Sequence, residues 1–152
     1  MNAFDTLNTV FDLAISREEA ANKFYVNLAK RVMSSAVKDT FSELAAEELR
    51  HKALLLALKA EPQIQAKFKS VPNYHVAESE AAPDLTANMS LRDAVAVAMK
   101  NEQQAAEMYR VLASLTTDEA VRTLFENLTN MELGHKNSLE TLFVDIAYPE
   151  VF

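Results

Sequence analysis

The chain of 152 residues has no cysteine, no tryptophan, a single glycine and only four prolines. Without cysteine there is no disulfide, no thiolate nucleophile and no sulfur-held zinc or iron-sulfur centre, so any metal must be held by oxygen and nitrogen. One glycine is too few for the dense tight turns of an all-β fold. No stretch approaches the roughly 18 consecutive apolar residues that span a bilayer, and the N-terminus "MNAFDTLNTVFDLAI" lacks the basic region and long apolar core of a secretion signal. A soluble cytoplasmic protein with no membrane partner is expected. Lys and Arg gather on no face and the net charge is -7, so nucleic-acid partners are not expected either.

What the chain does have is a hydrophobic fraction of 49% and abundant Ala, Leu, Glu, Lys and Met, which favours long helices around one core. The expectation is an all-α single domain, 1–152. Apolar residues recur at alternating steps of three and four, the spacing of a bundle seam. The first series runs Phe4, Leu7, Phe11, Ala14, Glu18, Ala21, Tyr25, Leu28, Val32, and the second Val37, Phe41, Leu44, Glu48, His51, Leu55, Leu58. After Glu61-Pro62 the period dissolves into a stretch holding Pro62, Pro72 and Pro83, which reads as a linker. Periodicity returns as Leu91, Val95, Ala98, Glu102, Ala105, Tyr109, Leu112, then Val121, Phe125, Leu128, Glu132, His135, Leu139, Leu142. Ser90 with Asp93, and Thr116 with Glu119, stand at N-terminal capping distance for these two helices.

The two halves superpose at a constant offset of 84 residues without a gap: Glu18 with Glu102, Tyr25 with Tyr109, Phe41 with Phe125, Glu48 with Glu132, His51 with His135. A duplicated helical hairpin explains this, because each amphipathic hairpin needs a second to bury its face. The expected units are hairpin one 4–60, crossover 61–89 and hairpin two 90–146. Short links make each hairpin antiparallel. A helix over 35–60 is about 39 Å long, and the crossover could reach about 95 Å if extended, so helices two and three run parallel.

Six ionisable residues occupy seam positions: Glu18, Glu48, His51, Glu102, Glu132 and His135. An uncompensated buried carboxylate costs several kcal/mol, and a whole domain is stable by only about 5 to 15 kcal/mol. The seam series contain no Lys or Arg to offset four of them. Two divalent cations would carry the missing charge. In Glu48-Leu-Arg-His51 and Glu132-Leu-Gly-His135 the i, i+3 spacing puts carboxylate and imidazole on one helix face, and the oxygen-rich donor set suits iron or manganese, with zinc compatible.

This constellation resembles the ferritin-like di-iron carboxylate superfamily, and within it the rubrerythrin-type domain. The resemblance is carried by "EEAANKFY" and "EQQAAEMY" together with "EELRH" and "MELGH", and covers about residues 4–146. It implies a ferritin-like four-helix bundle with two Fe ions. Glu18 and Glu102 would be terminal ligands, Glu48 and Glu132 bridging ligands, and His51 and His135 would each hold one ion. The implied activity is that of a di-iron oxidoreductase reducing hydrogen peroxide or dioxygen. The same centre in ferritins oxidises Fe²⁺, so a ferroxidase, storage or delivery protein is an alternative. A non-catalytic metal-binding helical bundle is a second, and substrate hydroxylation a weaker third.

Two departures from rubrerythrins stand out. There is no cysteine for a rubredoxin domain, so electrons would come from an external donor protein. Ala105 occupies the place of an additional ligand Glu, and Tyr109 keeps the uninserted spacing, which brings the site closer to a plain four-Glu, two-His centre. A homodimer or higher homo-oligomer is the expected assembly.

Tyr25 and Tyr109 lie two turns beyond Glu18 and Glu102 on the same face, where a buried hydroxyl would hydrogen-bond a ligand carboxylate. His75, in the crossover, reads as a solvated loop histidine. Glu19, Glu47 and Glu107 fall off the seam and are expected to face solvent. Gly134, beside His135, is expected to allow a close helix approach.

Overall fold

The computed structural model describes residues 3–69 and 89–147. Four helices carry the fold: α1 Ala3–Arg31, α2 Ser35–Lys59, α3 Leu91–Leu115 and α4 Glu119–Ala147, with a short 3-10 turn at Ile64–Lys67. The starts of α2, α3 and α4 are set by side chains that accept otherwise orphaned backbone N–H groups. Ser34 Oγ accepts from the Val37 N–H at 3.4 Å and Ser90 Oγ from the Asp93 N–H at 3.0 Å. For α4 the cap is Asp118, which accepts from the Val121 N–H at 3.0 Å. The expected Thr116 cap is therefore displaced by two residues, because the Thr116 hydroxyl is committed to the Lys67 carbonyl at 2.6 Å.

Cross-helix pairs fix the directions. Asp12 meets Lys59 and Asn22 bonds the Ala45 carbonyl, so α1 and α2 are antiparallel. Gln103 meets Lys136, and Tyr109 stacks on Phe125, so α3 and α4 are antiparallel. Tyr25 reaches Glu102 while Tyr109 reaches Glu18, which makes α1 antiparallel to α3 and leaves α2 and α3 parallel. The pair of antiparallel hairpins is thus the architecture observed among the described residues.

Part of the expected crossover packs against the bundle. Pro62–Lys69 is ordered against the end of α3, where the Lys69 N–H donates to the Leu115 carbonyl and the Thr117 N–H to the Lys67 carbonyl, both at 2.8 Å. Backbone bonds and the Phe68 ring hold this segment, and neither leaves a helical period. Phe68 meets Phe11 edge-on at 6.1 Å and Phe125 at 6.2 Å. At the opposite end of α3, Arg31 donates to the Met89 carbonyl. His75 and the rest of the crossover lie outside the described residues, as does the side chain of Phe4.

The buried apolar residues form two separate clusters. One, near the α2–α3 ends, includes Leu7, Phe11, Leu55, Leu112, Phe125 and Leu128. The other, near the opposite ends, includes Phe24, Leu28, Phe41, Leu44, Val95 and Leu139. Each fully buried large side chain stabilises the fold by roughly 1.5 to 3 kcal/mol. On α3 the seam turns slightly, so that Ala106 is fully buried and Ala105 only half-buried. Among the described residues no helix is long and apolar enough to cross a membrane.

Candidate metal centre

Between the two apolar clusters the seam becomes polar. Glu18, Glu48, Glu102 and Glu132 are each at most 2% exposed, His51 is 0% and His135 is 6% exposed. The four helices contribute one Glu from α1, one from α3, and a Glu-x-x-His pair from each of α2 and α4. All six sequence-predicted residues are brought together. Their ligand atoms fall into two groups, Glu18, Glu48, His51, Glu132 and Glu48, Glu102, Glu132, His135, each with atoms within 4.8 Å of one another. Glu48 and Glu132 belong to both groups.

The arrangement follows the sequence duplication. His51 Nδ1 lies 2.6 Å from Glu132 Oε1 and 3.6 Å from Glu18 Oε2. His135 Nδ1 lies 2.9 Å from Glu48 Oε1 and 3.6 Å from Glu102 Oε2. The two imidazoles stack with centroids 5.8 Å apart and planes 10° from parallel. Tyr25 donates its hydroxyl to Glu102 Oε1 at 2.5 Å, and Tyr109 donates to Glu18 Oε1. Each tyrosine therefore serves the carboxylate of the opposite hairpin, a pairing that helical spacing alone cannot specify.

The electrostatics are those of crowded, desolvated carboxylates. Burial, with Glu18 close by, pushes the Glu48 carboxyl well above the usual range. Burial and the neighbouring Glu132 push Glu102 up to about 8. Burial works against charge on Glu132 too, but the neighbouring Glu102, His135 and His51 outweigh it and hold this carboxyl below its ordinary value. For His51 burial alone would lower the pKa, yet Glu132 and Glu18 raise it to about 9. His135 is raised further, by Glu102, Glu132 and Glu48 against the same opposing burial. Both tyrosines are raised well above their ordinary value, by burial first and then by the facing carboxylates, so they act as O–H donors.

A cation fits this donor set. Glu18 Oε2 and Glu102 Oε2 are completely buried and have no hydrogen-bond partner, an arrangement that is costly for carboxylate oxygens unless something binds there. Each is the oxygen not engaged by a tyrosine. Among the described residues, the only basic side chains paired with these four carboxylates are the two histidines. Four carboxylates and two imidazoles form an oxygen-rich site of the kind that iron, manganese or zinc occupies.

Two expectations are corrected. Glu47 does not face away: its side chain is 33% exposed and its Oε2 meets His135 Nε2. It escapes the seam pattern because it stands at the flank, from which a long side chain still reaches the facing helix. Its counterpart 84 residues on is Met131, so the repeat offers no signal for it either. Gly134 is exposed, and a Cβ there would meet nothing within 4 Å, so no close helix approach depends on it. Glu19, by contrast, is half exposed and paired with Lys23 and Lys52, and Glu107 accepts from Gln103 at the surface, as expected.

Four helices in this topology, with a carboxylate and histidine cluster at their centre, define a ferritin-like carboxylate metal protein. The rubrerythrin family model matches residues 10–143, and the chain belongs to that family. A hypothetical protein from Pyrococcus furiosus is 29% identical, with a TM-score of 0.74 over 94% of this chain and 91% of its own. A Thermotoga maritima structure, described as a candidate ferritin-like diiron-carboxylate protein, shares the fold at 20% identity, with a TM-score of 0.76 over 94% and 95% of the two chains. No curated protein matches.

Proposed function

We propose that this protein is a di-iron carboxylate enzyme that reduces hydrogen peroxide or dioxygen with electrons from an external donor protein. The observation that carries this reading is the buried six-residue set itself, two overlapping ligand groups sharing Glu48 and Glu132. Bound iron would supply the electrons for cleaving an O–O bond. The chain's own residues supply the setting. Glu18 and Glu102 present one free oxygen each because Tyr109 and Tyr25 hold the other. The two imidazoles offer Nδ1 toward the shared carboxylates. The apolar clusters on either side exclude bulk water, which strengthens every electrostatic contact between them.

Ferroxidation with storage or delivery is the second reading. It is favoured by Ala105, half-buried against apolar neighbours where the resemblance would place a seventh ligand. Elemental analysis of anaerobically iron-loaded protein, followed by peroxide and then oxygen while near-ultraviolet absorption is recorded, separates the readings. Rapid oxidation by peroxide without mineral supports the first, and accumulating mineral the second. Bound metal with no faster peroxide turnover than free iron marks a non-catalytic bundle. Glu48→Ala with His51→Ala should abolish paired uptake; retention of two ions would refute the ligand assignment.

A further inference from the structure

Although the sequence repeat makes the centre look symmetrical, its two histidines are held differently. Nδ1 of each ring faces the shared carboxylates, so the difference lies at Nε2. His135 Nε2 meets the Glu47 carboxylate. His51 Nε2 is completely buried and has no partner. At the repeat position corresponding to Glu47 stands Met131, 40% exposed, whose thioether is at best a weak acceptor. Glu47 belongs to neither ligand group and is itself steadied by Arg50 Nη2 at 3.7 Å.

We propose that Glu47 is a positioning residue for His135, and that it makes the centre unequal, so that the first metal ion is taken up on the Glu102–His135 side. The inference rests on the dinuclear reading above. An imidazole that donates its Nε2–H to a carboxylate has its tautomer and ring orientation fixed, with the lone pair left on Nδ1, and becomes a stronger metal ligand. His51 receives no such help. Its N–H, made more polar when Nδ1 binds a cation, points into protein with nothing to accept it, a cost that falls on that side alone. Loss of such a supporting carboxylate typically weakens metal affinity about 10- to 100-fold.

The test is a Co²⁺ titration of the full chain, freed of metal by chelation, followed by visible absorption and calorimetry. Two unequal steps are expected, with the tighter lost in His135→Ala and the weaker lost in His51→Ala. Glu47→Ala should weaken the tighter step about 10- to 100-fold and leave the other in place, with Glu47→Asp restoring part of the loss. Met131→Glu, at an exposed position, should strengthen the weaker step. In the Co²⁺-loaded protein, Glu47→Ala should shift one hyperfine-shifted, exchangeable imidazole N–H resonance and leave the second unmoved. A general structural role would weaken both steps together, and that result, or a tighter step mapping to His51, overturns the proposal. Two-ion uptake indifferent to Glu47 overturns this inference alone. Uptake of fewer than two ions by the unaltered chain overturns the dinuclear reading and this inference with it.

Discussion

Glu102→Gln should stabilise the metal-free protein and destabilise the metal-loaded one. The side chain is 2% exposed, and the Tyr25 hydroxyl donates to its Oε1 at 2.5 Å, an acceptor that glutamine keeps. Burial and Glu132 raise its pKa from 4.5 to about 8, so the folded state binds this proton more tightly than the unfolded state does. A raised carboxyl pKa lowers stability as pH climbs from the unfolded value to the folded one and no further. At about pH 7 the difference amounts to roughly 3 kcal/mol, growing to about 5 above pH 8 and shrinking to about 1 near pH 5.5. Neighbouring groups share part of this, so a gain of about 1 to 3 kcal/mol near neutral pH is expected, which raises Tm by roughly 3 to 10 °C for a chain of this size. With metal the order reverses. The parent gains about 4.1 kcal/mol at a metal concentration of roughly 1,000 times Kd, more than the variant's head start, and the variant, short of a ligand, gains little. Thermal unfolding followed by circular dichroism, in chelator and in metal, near pH 5.5, 7 and 8.5, measures all of this. A metal-free variant that melts below its parent, or a gain that fails to grow with pH, refutes the reasoning.

Tyr25→Phe and Tyr109→Phe each strip a buried carboxylate of its O–H donor; urea unfolding should show a loss of about 1 to 3 kcal/mol apiece, and unchanged stability would mean that the cross-hairpin bonds carry no weight. His51 at about 9 and Glu102 at about 8 both hold protons near neutral pH, so metal uptake should release protons and the apparent affinity should climb between about pH 6 and 9. Calorimetry in buffers of different ionisation enthalpy would count those protons, and a pH-independent affinity would contradict the electrostatics. By the same sign, the His51 contribution to metal-free stability is complete below about pH 6.5 and is lost as pH rises through about 9. Phe125→Ala, which empties the space between Phe11, Phe68 and Tyr109, should cost about 3 to 5 kcal/mol by chemical denaturation; a loss under about 1 kcal/mol would show that the neighbouring rings collapse into the gap.

The bundle was legible because a helical seam has few ways to be satisfied. Charged residues recurring in step with Phe41, Leu55, Phe125 and Leu139 have nowhere to go but inward, and the repeat doubled that signal. Periodicity reports which face a residue occupies and not whom it meets. Tyr25 could be placed on the site face, but its bond to Glu102 rather than Glu18 depends on how the hairpins cross. Glu47 was missed for a related reason, since a flank position is assigned to solvent by its angle on the helix although a glutamate is long enough to return. The α4 cap moved from Thr116 to Asp118 because the Thr116 hydroxyl was claimed by the Lys67 carbonyl, a contact 49 residues away in sequence.

The offset of 84 residues without a gap has a consequence for how such a centre can change. Two identical hairpins associating as separate chains would have to carry the same residue on both sides of their axis, and any alteration on one side would appear on the other. Covalent fusion removes that obligation. Glu47 can then face one imidazole while Met131 stands at the matching place near the other, and a pair of metal positions that began as copies is free to divide its work.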